Sequence, residues 1–329
     1  MAHKKSVLLA VLLAVLIGLL VVDVVDTLRL TNPRKYEIVV VLKTNNIHSD
    51  YWQMVSSGVK AAAKEFGIHI VITGPLSETD TDEQIRNLNE VLNRKPNAVI
   101  LAATDAEKLA PMAKKIKESG AKLILIDSHI HHAEGERLIA TDYVGAGKKI
   151  GISLAGSRNG GPVKVLAISD RKSVLAEQER DKGFNEAIAS HAGFENAGTF
   201  YFDSTEDAAY ELVKTLLSMI PDIQGIAGLN EKATLGAARA LKEYKRMNDV
   251  KLVGFDSSIY QIKLLEEGRL QATIVQRPFN MGYLSVEMAV KVLNGIKVDP
   301  NMNMEALVIT KDNMYTQQNQ ELLFPLVER

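Results

Sequence analysis

The chain has 329 residues, of which 46% are hydrophobic and 24% are charged, as in an ordinary globular α/β protein. This length favours two lobes over one small core, and the composition argues against a disordered, collagen-like or disulfide-rich protein. A formal charge of −1 offers no basic field for nucleic acid, and the absence of cysteine excludes disulfides, thiolate nucleophiles and cysteine-bound metals.

The N-terminal segment, residues 1–35, carries an uninterrupted apolar run at 7–22 that is preceded by Lys4 and Lys5. This run is near the minimum length that inserts into a membrane, so an anchor and a signal peptide both fit. No small-residue cleavage arrangement follows the run, and the chain has no cysteine for lipidation. We therefore predict an uncleaved transmembrane helix and linker, and a single-pass cell-membrane protein with extracytoplasmic lobes.

From Tyr36 onward, continuous Val/Ile/Leu runs alternate with helical stretches. Strands are indicated at 38–42, 69–73 and 98–103, with helices between them at about 52–66 and 83–94. Continuous apolar runs are typical of strands that are buried on both faces of a parallel sheet. A second series begins with the strand at 163–169 and continues with helices near 177–189, 207–219 and 232–247. The pattern predicts an α/β fold with two parallel, doubly wound sheets.

Polar residues follow the strands, where ligands bind in open α/β sheets. They include Asp127 and Ser128, then Asn230, Asp256 and Gln276. Any one of them is more often a helix cap or turn former than a ligand contact. Together they supply carboxylates and carboxamides without a neighbouring nucleophile or metal cluster. The set favours hydrogen bonding to ligand hydroxyls, and predicts no enzyme activity, no cofactor and no metal.

Two aromatic residues, Tyr51 and Trp52, lie at the start of the first predicted helix. An aromatic face there can stack on the C–H side of a sugar ring, whereas the alternative role is an anchor in the core beneath the helix. Adjacent helical positions point about 100° apart. We therefore expect one of the pair to take each role.

Eight segments between residues 36 and 310 form a recognisable series: IVVVLKTNNIHSDYWQMVSSGVKAAAKEFG, LILID, IATDYVGAGKKIG, QERDKGFNEAI, GLNEKATLGAARAL, KLVGFDSS, GRLQATIVQRPFNMG and AVKVLNG. In this order and approximate spacing they resemble the type I periplasmic sugar-binding proteins, ribose-binding proteins especially. The resemblance implies two Rossmann-like lobes joined by three hinge crossings, near Asp142, near 276–279 and near Glu305. The implied lobes are 36–142 plus 279–305, and 143–278 plus 306–329.

The resemblance also implies roles for single residues. Contacts with the sugar fall to Asp127, Asn230, Asp256 and Gln276, while Tyr51 and Trp52 stack on the ring and Asp142 lies at the first hinge. Ser128 and Gln178 occupy positions where the ribose-type pattern has arginines. Losing two guanidinium groups removes charge-assisted hydrogen bonds. Another pentose or a related polyol is therefore as well supported as ribose.

The function expected from these features is the binding of a small sugar by closure of the two lobes. An uncleaved anchor favours a sensory partner of a membrane histidine kinase; the alternative is the substrate-binding component of a sugar ABC transporter, which would engage a permease. A repressor core would require a helix-turn-helix at the N-terminus, and an NAD enzyme would require a G-x-G-x-x-G after the first strand, where residues 43–46 read KTNN.

The tail, residues 311–329, extends beyond the usual end of the family. Its apolar residues Leu322, Leu323, Phe324 and Leu326 suit docking on a lobe or on a partner, and both alternatives stay open.

Overall fold

The computed structural model describes residues 36–131, 137–155, 163–170 and 175–324. The described strands are β1 (Glu37–Val41), β2 (His69–Thr73), β3 (Ala98–Leu101), β4 (Lys122–Ile126), β5 (Arg137–Thr141), β6 (Val163–Ser169), β7 (Phe194–Tyr201), β8 (Gly225–Gly228), β9 (Lys251–Phe255), β10 (Ala272–Val275), β11 (Asn301–Met304) and β12 (Leu307–Ile309). The described helices are α1 (Asp50–Glu65), α2 (Thr81–Asn93), α3 (Ala110–Glu118), α4 (Tyr143–Ala155), α5 (Leu175–Ser190), α6 (Glu206–Met219), α7 (Glu231–Glu243), α8 (Ile259–Glu266), α9 (Pro278–Leu293) and α10 (Gln317–Leu323).

The strands form two six-stranded sheets with matching orders, β11-β5-β4-β3-β1-β2 and β12-β10-β9-β8-β6-β7. We call the first sheet with its helices the first lobe, and the second sheet with its helices the second lobe. All pairings in the first sheet are parallel, whereas β12 is antiparallel to β10 in the second. The predicted parallel sheets are thus confirmed, with the exception that the edge strand β12 is antiparallel to β10. The reason is that only two residues separate β11 from β12. The chain leaves the first sheet at the carboxyl end of β11 and enters the second sheet at the end that faces it, so β12 runs in the direction opposite to its neighbour β10.

The strands are covered on both faces, as their continuous apolar runs predict. In β1, Val39 and Val41 pack into one core cluster while Ile38 and Val40 pack into another. All four side chains are fully buried. This two-sided burial explains why the strand sequence does not alternate between apolar and polar residues.

The chain passes between the sheets three times, between β5 and β6, between β10 and β11, and between β11 and β12. The first and third crossings lie side by side, since the backbone N–H of Asp142 donates to the carbonyl oxygen of Met304 at 2.9 Å. The exact lobe boundaries stay a prediction.

Helices α4 and α9 follow the first two crossings and pack on α5 and α1, respectively. Glycine permits both approaches. A Cβ placed on Gly58 would lie 1.9 Å from the carbonyl oxygen of Phe279, and a Cβ on Gly183 would lie 2.0 Å from that of Val144. The two helix pairs therefore cross with their backbones nearly in contact.

The described part of the tail docks on the second lobe. Met314 and Leu323 are buried in the same core cluster as Ile309 and Val275. Helices α9 and α10 were not predicted. The short elements α3, α8, β11 and β12, which lack a long periodic apolar pattern, were not predicted either.

The predicted anchor at 1–35 lies outside the described residues. Within the ranges given above, no helix combines the length and the apolar character needed to cross a bilayer.

Candidate functional site

A cleft of about 650 Å³ separates the carboxyl ends of the two sheets. Its lining from the first lobe includes Lys43, Tyr51, Trp52 and Asp127, and its lining from the second includes Glu177, Arg180, Asn230 and Asp256; Gln276 contributes from the second crossing. The volume lies within the range of cavities that enclose small ligands.

On the first lobe, Asp127 is held in a dense set of hydrogen bonds. Its Oδ2 lies 2.5 Å from Nζ of Lys43 and accepts from Oγ of Ser128 at 2.8 Å. Its Oδ1 accepts from the hydroxyl of Tyr143 at 2.5 Å, and the hydroxyl of Tyr51 lies 3.2 Å away. Burial raises the pKa of Asp127, but the Lys43 ammonium and these hydrogen bonds outweigh burial and hold the pKa below its usual value. Asp127 is therefore an ionised, firmly oriented acceptor.

On the second lobe, Asp256 has a different environment. Among the described residues, its one side-chain hydrogen-bond donor is the amide of Gln276, at 2.8 Å to Oδ1. Burial raises the pKa of Asp256 to about 7, and although Arg180 and Gln276 oppose the rise, Glu231 and Glu177 add to it. Asp256 thus retains hydrogen-bonding capacity that a ligand can use.

The two aspartates occupy equivalent places in the two sheets. Asp127 follows β4 with φ 68° and Asp256 follows β9 with φ 74°, both in the left-handed region that aspartate tolerates better than most residues. Each backbone N–H donates at 2.9 Å across to the next strand, to Ile139 and Ile274, respectively. The same turn therefore aims one carboxylate into the cleft from each lobe.

Gln276 connects the two halves of the site. Its Oε1 accepts from Oγ1 of Thr141 at 2.9 Å, while its Nε2 donates to Asp256. Gln276 is 5% exposed. An amide at the crossing therefore contacts residues of both lobes at once.

A buried ion pair on α5 forms part of the second wall. Nη2 of Arg180 lies 2.6 Å from Oε1 of Glu177, and the guanidinium lies 4.2 Å from the ring centroid of Phe255. Oε2 of Glu177 accepts from Ser169, and Oε1 from Nδ2 of Asn230 at 3.1 Å. Arg180 Nε has no hydrogen-bond partner among the described residues. This free donor adds to the hydrogen-bonding capacity of the wall.

The aromatic pair divides its roles. Trp52 is 2% exposed and packs in a core cluster of the first lobe, whereas Tyr51 is partly exposed and its hydroxyl reaches Asp127. The two rings meet edge to face, with centroids 5.0 Å apart. Both residues line the cleft.

Asn230 serves as the N-cap of α7, where its Oδ1 accepts from the backbone of Ala233 at 2.8 Å. Its amide still lines the cleft beside Glu177. Asn230 is therefore a helix cap, which is the alternative role that the sequence left open, and it also lines the site.

Three predicted residues do not line this cleft. Gln178 is exposed, because on α5 the cleft-facing positions are Glu177 and Arg180, three residues apart, and Gln178 points about 100° away from Glu177. Ser128 lies behind Asp127, beside a separate cavity of about 180 Å³ that Asp142 also lines. Asp142 is exposed and accepts from the backbone of Gly145 in the first turn of α4.

Sequence reasoning missed Lys43, Tyr143, Glu177 and Arg180 as parts of the site. Lys43 was visible as the first residue after the first strand run, and the Glu177–Arg180 spacing suits an i, i+3 pair on a helix. Lys43 stands out because its Nζ also contacts Oγ of Ser128, at 2.7 Å. Ser128 thus has the Lys43 ammonium, from the loop after β1, beside it.

Two α/β lobes with a shared hydrogen-bonding cleft and linked crossings define a class of two-lobe binding proteins. Residues 38–297 match the family described as periplasmic binding protein domain, and the chain belongs to this family.

Curated relatives and solved structures agree with this assignment. The ribose import binding protein of Escherichia coli is 26% identical over 272 residues, which cover 83% of this chain and 90% of that protein. A carbohydrate transporter solute binding protein from Agrobacterium radiobacter, solved with D-arabinose, is 26% identical with a TM-score of 0.82 and coverage of 88% of this chain and 99% of that chain. A sugar transporter from Clostridium phytofermentans is 36% identical with a TM-score of 0.74 and coverage of 85% and 100%. None of these three is described as an enzyme.

Proposed function

We propose that the cleft binds a small neutral sugar, a pentose or related polyol, outside the cytoplasm, and that the lobes close around it. The observation that carries the proposal is the pair of aspartates, one from each lobe, that face one cleft. Gln276 donates to Asp256, and the hydroxyl of Tyr51 lies 3.5 Å from Gln276 and 3.2 Å from Asp127. Carboxylates accept hydrogen bonds from sugar hydroxyls, and a ligand that bridges both lobes favours the closed state by its differential contacts.

The charges of the cleft favour a neutral ligand over an anionic one. Of the lysine and arginine side chains that line the cleft in the described residues, Lys43 and Arg180 are each paired with a carboxylate, at 2.5 Å and 2.6 Å, and Lys232 is the third. The carboxylates of Asp50, Glu231 and Asp256 line the same cleft without a salt-bridge partner in the described chain. A sugar phosphate or uronic acid would meet this excess of negative charge, which opposes its binding.

The test is a thermal-shift screen of pentoses, hexoses, polyols, sugar phosphates and uronic acids on the full-length protein, followed by calorimetry of the hits. We expect one or more neutral sugars to raise Tm. Asp127→Ala and Asp256→Ala should weaken binding at least 100-fold, since each removes charged hydrogen bonds worth about 1.5–3 kcal/mol and unpairs a partner.

Asp82→Ala, an exposed aspartate on α2, is the matched control and should bind like the unmodified protein. Binding that survives both cleft substitutions, or binding only of anionic sugars, would contradict the proposal.

We further propose that the protein delivers its sugar to an ABC permease. The support is the description of the relatives, which are an import binding protein and two transport proteins. The expectation of a histidine-kinase partner rested on the predicted anchor alone, and the relatives favour transport.

A further inference from the structure

A second cavity adjoins the cleft and differs from it in chemistry. It measures about 290 Å³ and opens between the start of α1, the start of α8 and the tail. We call it the side pocket. Its lining includes the apolar residues Ile259, Ile262, Pro278, Leu322, Leu323 and Phe324.

The side pocket and the cleft share part of their walls. Tyr51, Asp256 and Gln276 line both cavities, as do Asp50 and Glu231. Asp256 and Gln276, two of the residues proposed to bind sugar hydroxyls, therefore stand at the junction, whereas Asp127 does not line the side pocket. A group attached to a bound sugar can reach the side pocket without leaving the cleft.

The tail completes the apolar wall. Leu323 is 6% exposed and belongs to the core of the second lobe, and the neighbouring Leu322 and Phe324 pack against the same core. Pro278, in contrast, is the first residue of α9, which packs on the first lobe. The tail thus encloses an apolar space beside the site. The residues that precede and follow the second crossing, Val275 and Pro278, line the same space.

We propose that the natural ligand is a sugar that carries a neutral apolar substituent, such as an alkyl or aryl glycoside, with the substituent in the side pocket. This inference rests on the proposed sugar-binding function and specifies its substrate. An apolar substituent gains affinity from burial in an apolar pocket, about fourfold for each buried methylene. The carboxylates of Asp50, Glu231 and Asp256 at the junction disfavour a charged acidic substituent.

The test compares each free sugar with its methyl, butyl and phenyl glycosides, in both anomers, by calorimetry on the full-length protein. The sugars are D-ribose, D-xylose, L-arabinose, D-galactose and D-glucose. For at least one sugar, we expect the butyl or phenyl glycoside to bind at least tenfold more tightly than both the free sugar and the methyl glycoside.

The variant Ile259→Gln should remove this gain while leaving the affinity for the free sugar within twofold, because Ile259 lines the side pocket and not the cleft. Tyr260→Gln is the matched control: it lies on the same helix, is 68% exposed and lines neither cavity, so the gain should persist.

The outcomes separate the two proposals. If free sugars bind but no butyl or phenyl glycoside binds more tightly, the side-pocket inference is overturned and sugar binding stands. A gain that persists in Ile259→Gln places the substituent elsewhere and also overturns the inference. If neither sugars nor glycosides bind, both proposals fail.

Discussion

Asp127 and Asp256 follow equivalent strands in the same backbone conformation, yet their surroundings shift their pKa values in opposite directions. Lys43 and three hydroxyl groups surround Asp127, whereas Asp256 is buried, and the nearby Arg180 and Gln276 do not offset that burial and the neighbouring carboxylates of Glu231 and Glu177. The first lobe therefore presents a preformed acceptor, and the second presents one that is costly to ionise without a ligand.

This contrast predicts a pH-dependent stability in the ligand-free protein. The pKa of Asp256 rises from 3.8 to about 7 on folding, so its contribution to stability is complete below about pH 4 and is lost as pH rises through 7. Asp256→Asn should avoid that loss. We expect it to raise the free energy of unfolding by about 1–3 kcal/mol at pH 8 and by much less at pH 4.

Urea denaturation at several pH values measures this difference. Asp127→Asn is the natural comparison, because its lowered pKa contributes stability that is present at neutral pH and lost as pH falls. Asp127→Asn should therefore destabilise the protein most at pH 8. Equal pH profiles for Asp256→Asn and the unmodified protein would show that ionisation of Asp256 does not destabilise the ligand-free protein.

The sequence indicated both aspartates because they directly follow long apolar runs. It could not reveal that Lys43 reaches Asp127 and Ser128, since residues 43 and 127 lie 84 positions apart and only the pairing of β1, β3 and β4 brings them together. Nor could it show that Gln178 points away from the cleft, because that depends on how α5 is rotated against its sheet.

At the scale of elements, the close helix pairs depend on glycine. A Cβ on Gly58 would collide with backbone atoms of α9, 1.9 Å from the carbonyl oxygen of Phe279 and 2.9 Å from the nitrogen of Tyr283. Backbone cannot rotate out of the way as a side chain can. Gly58→Ala should therefore lower the free energy of unfolding by about 1–3 kcal/mol despite the better helix propensity of alanine.

Chemical denaturation measures the change, with Lys60→Ala on the exposed side of α1 as the control. The control should stay within about 0.5 kcal/mol of the unmodified protein. A Gly58→Ala protein as stable as the control would mean that α1 and α9 do not approach as closely as described.

The long, strongly periodic elements were predictable. The strand at 163–169 was predicted with its exact bounds, and α1 was displaced by two residues at its start and one at its end. The strands β11 and β12 were not, because β11 reads NMNM and has no continuous apolar run, and β12 has only three residues. The antiparallel direction of β12 depends on the end at which the chain re-enters the second sheet. The local sequence does not indicate which end that is.

At the scale of the whole molecule, the proposed transport role makes a prediction about partners. Full-length tagged protein, cross-linked in the membranes of its own cells and analysed by mass spectrometry, should recover ABC permease subunits in a sugar-dependent manner. Asp127→Ala should reduce recovery, since a protein that cannot hold ligand lacks the closed state that ligand stabilises.

Asp82→Ala again serves as the control and should leave recovery unchanged. Recovery of a histidine kinase in place of a permease would reject the transport role and restore the sensory one.

The exchange of helices between the two lobes has a consequence for the integrity of the protein. Helix α4 leaves the first sheet to pack on α5, and α9 leaves the second sheet to pack on α1. Residues 36–155 thus contribute their last helix, α4, to the second lobe, and residues 163–293 contribute their last helix, α9, to the first lobe. A fragment of residues 36–155 would lack α9 and expose the glycine-containing face of α1, and a fragment of residues 163–293 would lack α4 and expose that of α5, so neither fragment carries the parts of a complete lobe.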